Sequence, residues 1–166
     1  MDILIRPVRP TEHDALGDLT ARAYLDDGLL DFGESDEYFR ELRDVAKRAA
    51  AAEVLVAVEG DAVLGGVTFV PSGGPMADIS RPGEIRMLAV GREARGRGAG
   101  EALVRACLDR ARAAEGCTAV VLSTQRTMAA AHRIYERLGF VRTPERDWKP
   151  LPQPADITLL AYKLTL

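Results

Sequence analysis

The chain has 166 residues, a formal net charge of −3, 47% hydrophobic residues and 28% charged residues. That composition suits one globular domain with its own core and excludes a wholly disordered or fibrous chain. Mild acidity argues against a nucleic-acid binder, which needs a basic footprint, and no apolar run approaches the ~18 residues of a membrane span.

Met1-Asp2-Ile3-Leu4-Ile5-Arg6-Pro7 is too short an apolar stretch for a signal peptide, which points to a cytoplasmic protein with reduced thiols. Cys107 and Cys117 have no Cys-x-x-Cys spacing and no paired histidines nearby, so neither a metal site nor a disulfide framework is expected. His13 and His132 are not a ligand pair.

Ile3 to Val8 predicts a first strand, and Thr11 offers an N-cap for a helix carrying Ala15, Leu16, Leu19 and Ala23. Ser35 offers a second cap, with Asp36 and Glu37 in the first turn of a helix running to about Ala52. Its buried face is expected to hold Phe39, Leu42, Val45, Ala46 and Ala49. Glu53 to Glu59 is a near-continuous apolar strand, and Gly60-Asp61 turns it into a second, Ala62 to Val70. Pro71 to Pro75 and Arg81-Pro82-Gly83 read as a surface loop before the strand Glu84 to Val90. A helix follows from about Gly98 to Ala114, with Ala99, Ala102, Leu103, Ala106 and Cys107 as its apolar stripe. Thr118 to Thr124 predicts a buried strand and Met128 to Leu138 a helix. Gly139 would stop that helix in a left-handed conformation, with Phe140 folding back. Strands near Phe140 to Thr143 and Ile157 to Leu166 flank a proline-rich link, giving one mixed α/β domain.

Leu88-Ala89-Val90 leads through Gly91 to Arg95-Gly96-Arg97-Gly98-Ala99-Gly100, where three glycines alternate as a helix begins. Glycine lets a backbone approach a ligand closely, and the first helical N–H groups lack intrahelical acceptors. Together with the helix dipole they form an anion site. Six arginines against three acids between 91 and 112 reinforce it. The Walker pattern fails because Glu101-Ala102 follows the last glycine. The dinucleotide fingerprint fails as well, since Glu101 stands where its last glycine belongs. A turn serving only tight packing remains the plainer alternative.

This segment resembles the Gln/Arg-x-x-Gly-x-Gly/Ala signature of the GNAT superfamily of N-acetyltransferases. Ala131-His132-Arg133-Ile134-Tyr135-Glu136-Arg137-Leu138-Gly139-Phe140 is similar to its second signature, Ala-x-x-x-Tyr-x-x-x-Gly-Phe. The resemblance covers nearly the whole chain, 1–166. It implies a single GNAT-like domain with a mostly antiparallel, twisted sheet of six to seven strands and about four flanking helices. It also implies acetyl-CoA as donor and co-substrate, its diphosphate on the N–H groups of Arg95, Gly96, Arg97, Gly98, Ala99 and Gly100. The pantetheine arm would lie along Leu88, Ala89 and Val90. Two positions depart from the pattern: Arg92 replaces a common proline, and Met128 stands where an asparagine is frequent.

Direct acetyl transfer to a primary amine requires a base for the ammonium, donors for the developing oxyanion and an acid for the leaving thiolate. Tyr135 matches the family's acid, and Glu84 sits where histone-type members carry a base. A backbone N–H near Leu88 would meet the oxyanion. Each side chain also has a plainer reading, Tyr135 as a packed aromatic and Glu84 as a solvated charge at a strand end. The acceptor would be a small-molecule or peptide amine. Asp26, Asp27, Asp31, Glu34, Asp36 and Glu37 form an acidic stretch that would attract a cationic one, or else simply a solvated loop. Arg146-Asp147-Trp148 reads as a strand-end turn, with Trp148 a candidate substrate wall. No nucleic-acid or membrane partner is expected, and homodimers are common in the family. The competing readings are an acyl-CoA-binding regulatory module and an enzyme for a longer acyl donor.

Overall fold

The computed structural model describes residues 2–26, 37–71, 82–125, 128–148 and 158–166. Seven strands are β1 (Leu4–Pro7), β2 (Glu53–Glu59), β3 (Ala62–Val70), β4 (Gly83–Val90), β5 (Ala119–Gln125), β6 (Val141–Arg142) and β7 (Leu159–Thr165). Five α-helices stand among the described residues: α1 (His13–Asp26), α2 (Glu37–Arg43), α3 (Val45–Ala51), α4 (Ala99–Ala113) and α5 (Ala129–Arg137). The strand order is β1-β2-β3-β4-β5-β7-β6. The pairs β1–β2, β2–β3, β5–β7 and β6–β7 are antiparallel, whereas β4 and β5 run parallel over Gly83–Ile85 and Val120–Leu122.

The chain divides into two compact units, Met1–Phe69 with Met87–Ala106, and Val70–Arg86 with Cys107–Leu166. The division falls within β4, where Met87 adopts a φ of 53°, the left-handed region that a side chain seldom occupies. The strict alternation expected for positions 84, 86, 88 and 90 is therefore interrupted at 87.

In the first unit, Val54 to Val58 are all buried, as their unbroken apolar run requires, and Leu16 and Val45 pack against alternate residues of the strand. Gly17 brings the chain very close to α2, because a Cβ there would meet the Arg43 carbonyl oxygen at 2.4 Å. Three expectations fail here. Thr11 does not cap α1: residues Pro10–Glu12 form a 3-10 turn capped at Arg9, whose N–H donates to the Glu12 carboxylate at 2.8 Å. The helix expected through Ala52 breaks at Asp44, whose side chain accepts from the Lys47 N–H and starts α3 afresh. Ala15 and Ala46 are exposed rather than buried; an alanine stripe marks a helical face only weakly.

In the second unit, Val120, Leu122, Tyr135, Phe140, Ala161 and Tyr162 are buried. Gly139, at φ 100°, closes α5 as expected: the Phe140 N–H donates to the Tyr135 carbonyl and the Gly139 N–H to the Glu136 carbonyl. Ser35, the loop from residue 72 to 81 and the link from 149 to 157 lie outside the described residues.

Candidate active site

In the first unit β4 ends at Val90, and the Gly91 N–H donates to the Leu64 carbonyl at 2.8 Å. A 3-10 turn, Arg92–Ala94, then delivers the chain to the bend before α4. Gly96 and Gly98 take φ values of 80° and 83°, which only glycine adopts without strain. A Cβ at either position would meet nothing within 4 Å, so the bend presents bare backbone on open space. Arg95 through Gly98 are exposed, while Ala99 and Gly100 are buried in the first turn of α4. The fifteen residues of α4 give the bend a full helix N-terminus.

The Arg97 guanidinium is ion-paired with Glu59 at the β2–β3 turn, and this contact holds the glutamate below its usual pKa. Arg95 Nε reaches the Val90 carbonyl at 3.5 Å. A cavity of about 540 Å³ opens beside the bend, bounded among others by Leu19, Arg22, Glu59, Arg92, Arg95 and Arg97. Nothing in the sequence pointed to Glu59, because it lies 38 residues from its partner.

In the second unit Tyr135 is 5% exposed, with ring centroids 5.7 Å from Phe140 and 6.0 Å from Tyr162. Burial pushes its phenol well above the ordinary value, and Cys107 and Tyr162 add to the shift. Met128 stands at the N-cap position of α5 without a side-chain capping bond, and its sulfur accepts from the Thr124 hydroxyl at 3.2 Å. Glu84 opens onto a different feature, a cavity of about 210 Å³ shared with Val121, Leu122, Ser123, Arg146, Trp148 and Ala161. Both Glu84 oxygens accept from Arg86, at 2.9 and 3.0 Å. Trp148 donates its indole N–H to the Ser123 hydroxyl at 2.9 Å. Tyr135 does not line that cavity.

The GNAT acetyltransferase family model matches residues 15–140, which include both the glycine bend and the α5 segment. The chain belongs to the GNAT acetyltransferase family. Its likeness to solved GNAT structures extends over almost the entire chain. The ribosomal-protein-alanine N-acetyltransferase of Brucella melitensis is 22% identical, with a TM-score of 0.73 over 98% of this chain and 99% of that one. A GCN5-related N-acetyltransferase from Kribbella flavida is 23% identical, with a TM-score of 0.70 over 99% and 98%. The Salmonella typhimurium protein yncA, determined with its cofactor acetyl-CoA, is 21% identical, with a TM-score of 0.72 over 98% and 93%. At these identities the likeness concerns the fold. A search of curated protein sequences finds no match.

Acetyl-CoA-dependent acetyl transfer is the chemistry of GNAT acetyltransferases. The bend of this GNAT chain fits such a donor, because its open glycines, helix N-terminus and exposed arginines all favour a diphosphate. Among the described residues no group of three or more His, Cys, Asp or Glu could hold a metal ion, and no helix is long and apolar enough to cross a membrane. Of the acidic stretch, Asp26 and Glu37 are described, and both are exposed; residues 27 to 36 lie outside the described residues.

Proposed function

We propose that residues 1–166 work as one N-acetyltransferase domain, moving an acetyl group from acetyl-CoA to a primary amine by direct attack, in a cytoplasmic setting where Cys107 and Cys117 stay free. The observation that carries this reading is the bend at Gly96 and Gly98, with both glycines left-handed and open ahead of α4. The N–H groups of Arg95, Gly96, Arg97, Gly98, Ala99 and Gly100 would hold the diphosphate. Leu88, Ala89 and Val90 would offer backbone groups to the arm beyond it. The donor supplies the acetyl thioester.

The chain's part in the chemistry divides between a base and an acid. Glu84, partly exposed and facing a cavity, would take the ammonium proton so that the amine nitrogen can attack the thioester carbon. Its carboxylate is oriented by Arg86, and each oxygen keeps a lone pair for the amine. As the carbon–sulfur bond breaks, Tyr135 would give its proton to sulfur, and the second proton that the attacking nitrogen must lose to become an amide would reprotonate the phenolate. The support is its place in the segment Ala131 to Phe140, which resembles the family's second signature; as a phenol it carries a proton to give at neutral pH. A backbone N–H near Leu88 would meet the charge developing on oxygen.

Release of free thiol from acetyl-CoA, measured on the full chain across polyamines, amino acids, aminoglycosides and peptide N-termini, tests the reading. Amine-dependent release supports it. Donor binding without turnover on any amine would favour a regulatory acyl-CoA binder instead, and a faster rate with succinyl-CoA would change the donor.

A further inference from the structure

The cavity of the second unit is built from residues that recognise opposite charges. Glu84 contributes a carboxylate, held by Arg86 but with lone pairs to spare. Arg146 contributes a guanidinium that has no partner among the described residues. The acid next to it in sequence, Asp147, is already committed: it accepts from Arg142 at 2.8 and 2.9 Å and from the Ala161 N–H at 2.8 Å. Ser123 accepts the Trp148 indole N–H, which leaves its own hydroxyl proton to donate.

Trp148 is 49% exposed yet fixed, since its backbone exchanges hydrogen bonds with Leu159 in both directions, at 3.2 and 2.8 Å. An exposed indole pinned by backbone and side chain makes a rigid apolar wall. Val121, Leu122 and Ala161 complete the lining. The volume, about 210 Å³, equals roughly seven waters at ~30 Å³ each, the scale of a free amino acid.

We propose that this cavity is the acceptor subsite and that it takes a free α-amino acid. The ammonium faces Glu84, the carboxylate is held by the Arg146 guanidinium and the Ser123 hydroxyl, and the side chain lies against Trp148. This rests on the acetyltransferase reading and narrows its acceptor. An arginine with no counter-ion among the described residues shares the cavity with a carboxylate whose oxygens keep lone pairs beyond the Arg86 bonds. That combination suits a zwitterion, whereas a simple amine or a peptide N-terminus would bring Arg146 no carboxylate.

The test compares the full chain with Arg146→Ala on L-methionine, L-leucine and L-phenylalanine, each beside its carboxamide and its decarboxylated amine. Acetylation rates are read together with equilibrium binding by calorimetry in the presence of coenzyme A. The unaltered chain should favour the acid over the carboxamide by about 30-fold in kcat/KM, as a charge-assisted pair implies. Arg146→Ala should bring that ratio within about 3-fold, mainly through KM, with an unchanged circular dichroism spectrum. Equal use of acid and carboxamide, or a ratio indifferent to Arg146, overturns the subsite while leaving the acetyltransferase reading standing. Arg146-dependent binding of the acid without any transfer would uphold the subsite and overturn the acetyltransferase reading.

Discussion

Tyr135 packs edge-on against Phe140 with its ring sealed from solvent, so replacing it with Phe removes one oxygen and leaves the packing in place. Tyr135→Phe should therefore lower kcat by about 10- to 100-fold with little change in donor affinity or melting temperature. Steady-state kinetics alongside a thermal melt check this, and an unchanged kcat would leave the residue only its packing role. At the bend, Gly98 has φ 83° and open space around it. An aspartate there costs about 1 kcal/mol of backbone strain, but its main effect is negative charge where a diphosphate would sit. Gly98→Asp should weaken coenzyme A binding at least about 10-fold by calorimetry, and unaltered affinity would remove the diphosphate from that bend. Both residues were legible as candidates because each lies in a short local motif. Glu59 and Arg146 were not, since a lone charge at a strand end or turn reads the same whether it is solvated or meets a partner far along the chain.

Elements were readable to the extent that their signals are local. The run Glu53 to Val70, turned by Gly60-Asp61, folds as the predicted hairpin, with Glu59 paired to Ala62. The α5 stop at Gly139 is likewise written into neighbouring residues. The helix division at Asp44 was missed because Asp44 sits inside an unbroken apolar periodicity, and the capping bond that decides it is a choice between two local geometries. Gly17 illustrates packing between elements. A methyl group would meet the Arg43 carbonyl oxygen, a backbone atom that cannot swing away. Gly17→Ala should destabilise the chain by about 2 kcal/mol despite alanine's higher helix propensity, and the urea midpoint is the measurement. A midpoint that rises would mean α1 and α2 separate at little cost.

Acid sensitivity belongs to the whole molecule. The Arg6 guanidinium, bonded to Glu12 at 2.7 and 2.9 Å, holds that carboxyl at about 2. Arg142 and the Ala161 N–H hold Asp147 at about 2 as well. In the unfolded chain these groups titrate near ~4.3 and ~3.9. A depressed folded value means the stabilisation is complete above pH ~5 and is lost as pH falls toward 2. The melting temperature should accordingly fall between pH 5 and 2, and Glu12→Gln should flatten part of that fall. A parallel curve for the variant would show that the Arg6–Glu12 pair contributes nothing to acid stability. One pair anchors the start of the first unit and the other the last two strands of the second, so neither half escapes the titration.

By itself the sequence determined the order of the strands, the main helices between them and the glycine bend, because hydrophobic period and left-handed glycine are settled within about ten residues. The tertiary structure alone decided that Glu59 meets Arg97, that Met87 breaks the extended run of β4, and that Glu84, Ser123, Arg146 and Trp148 surround one cavity. Those partners stand far apart along the chain. Their meeting depends on strand register and on which strands become neighbours, and these are set by packing of the whole rather than by any local stretch.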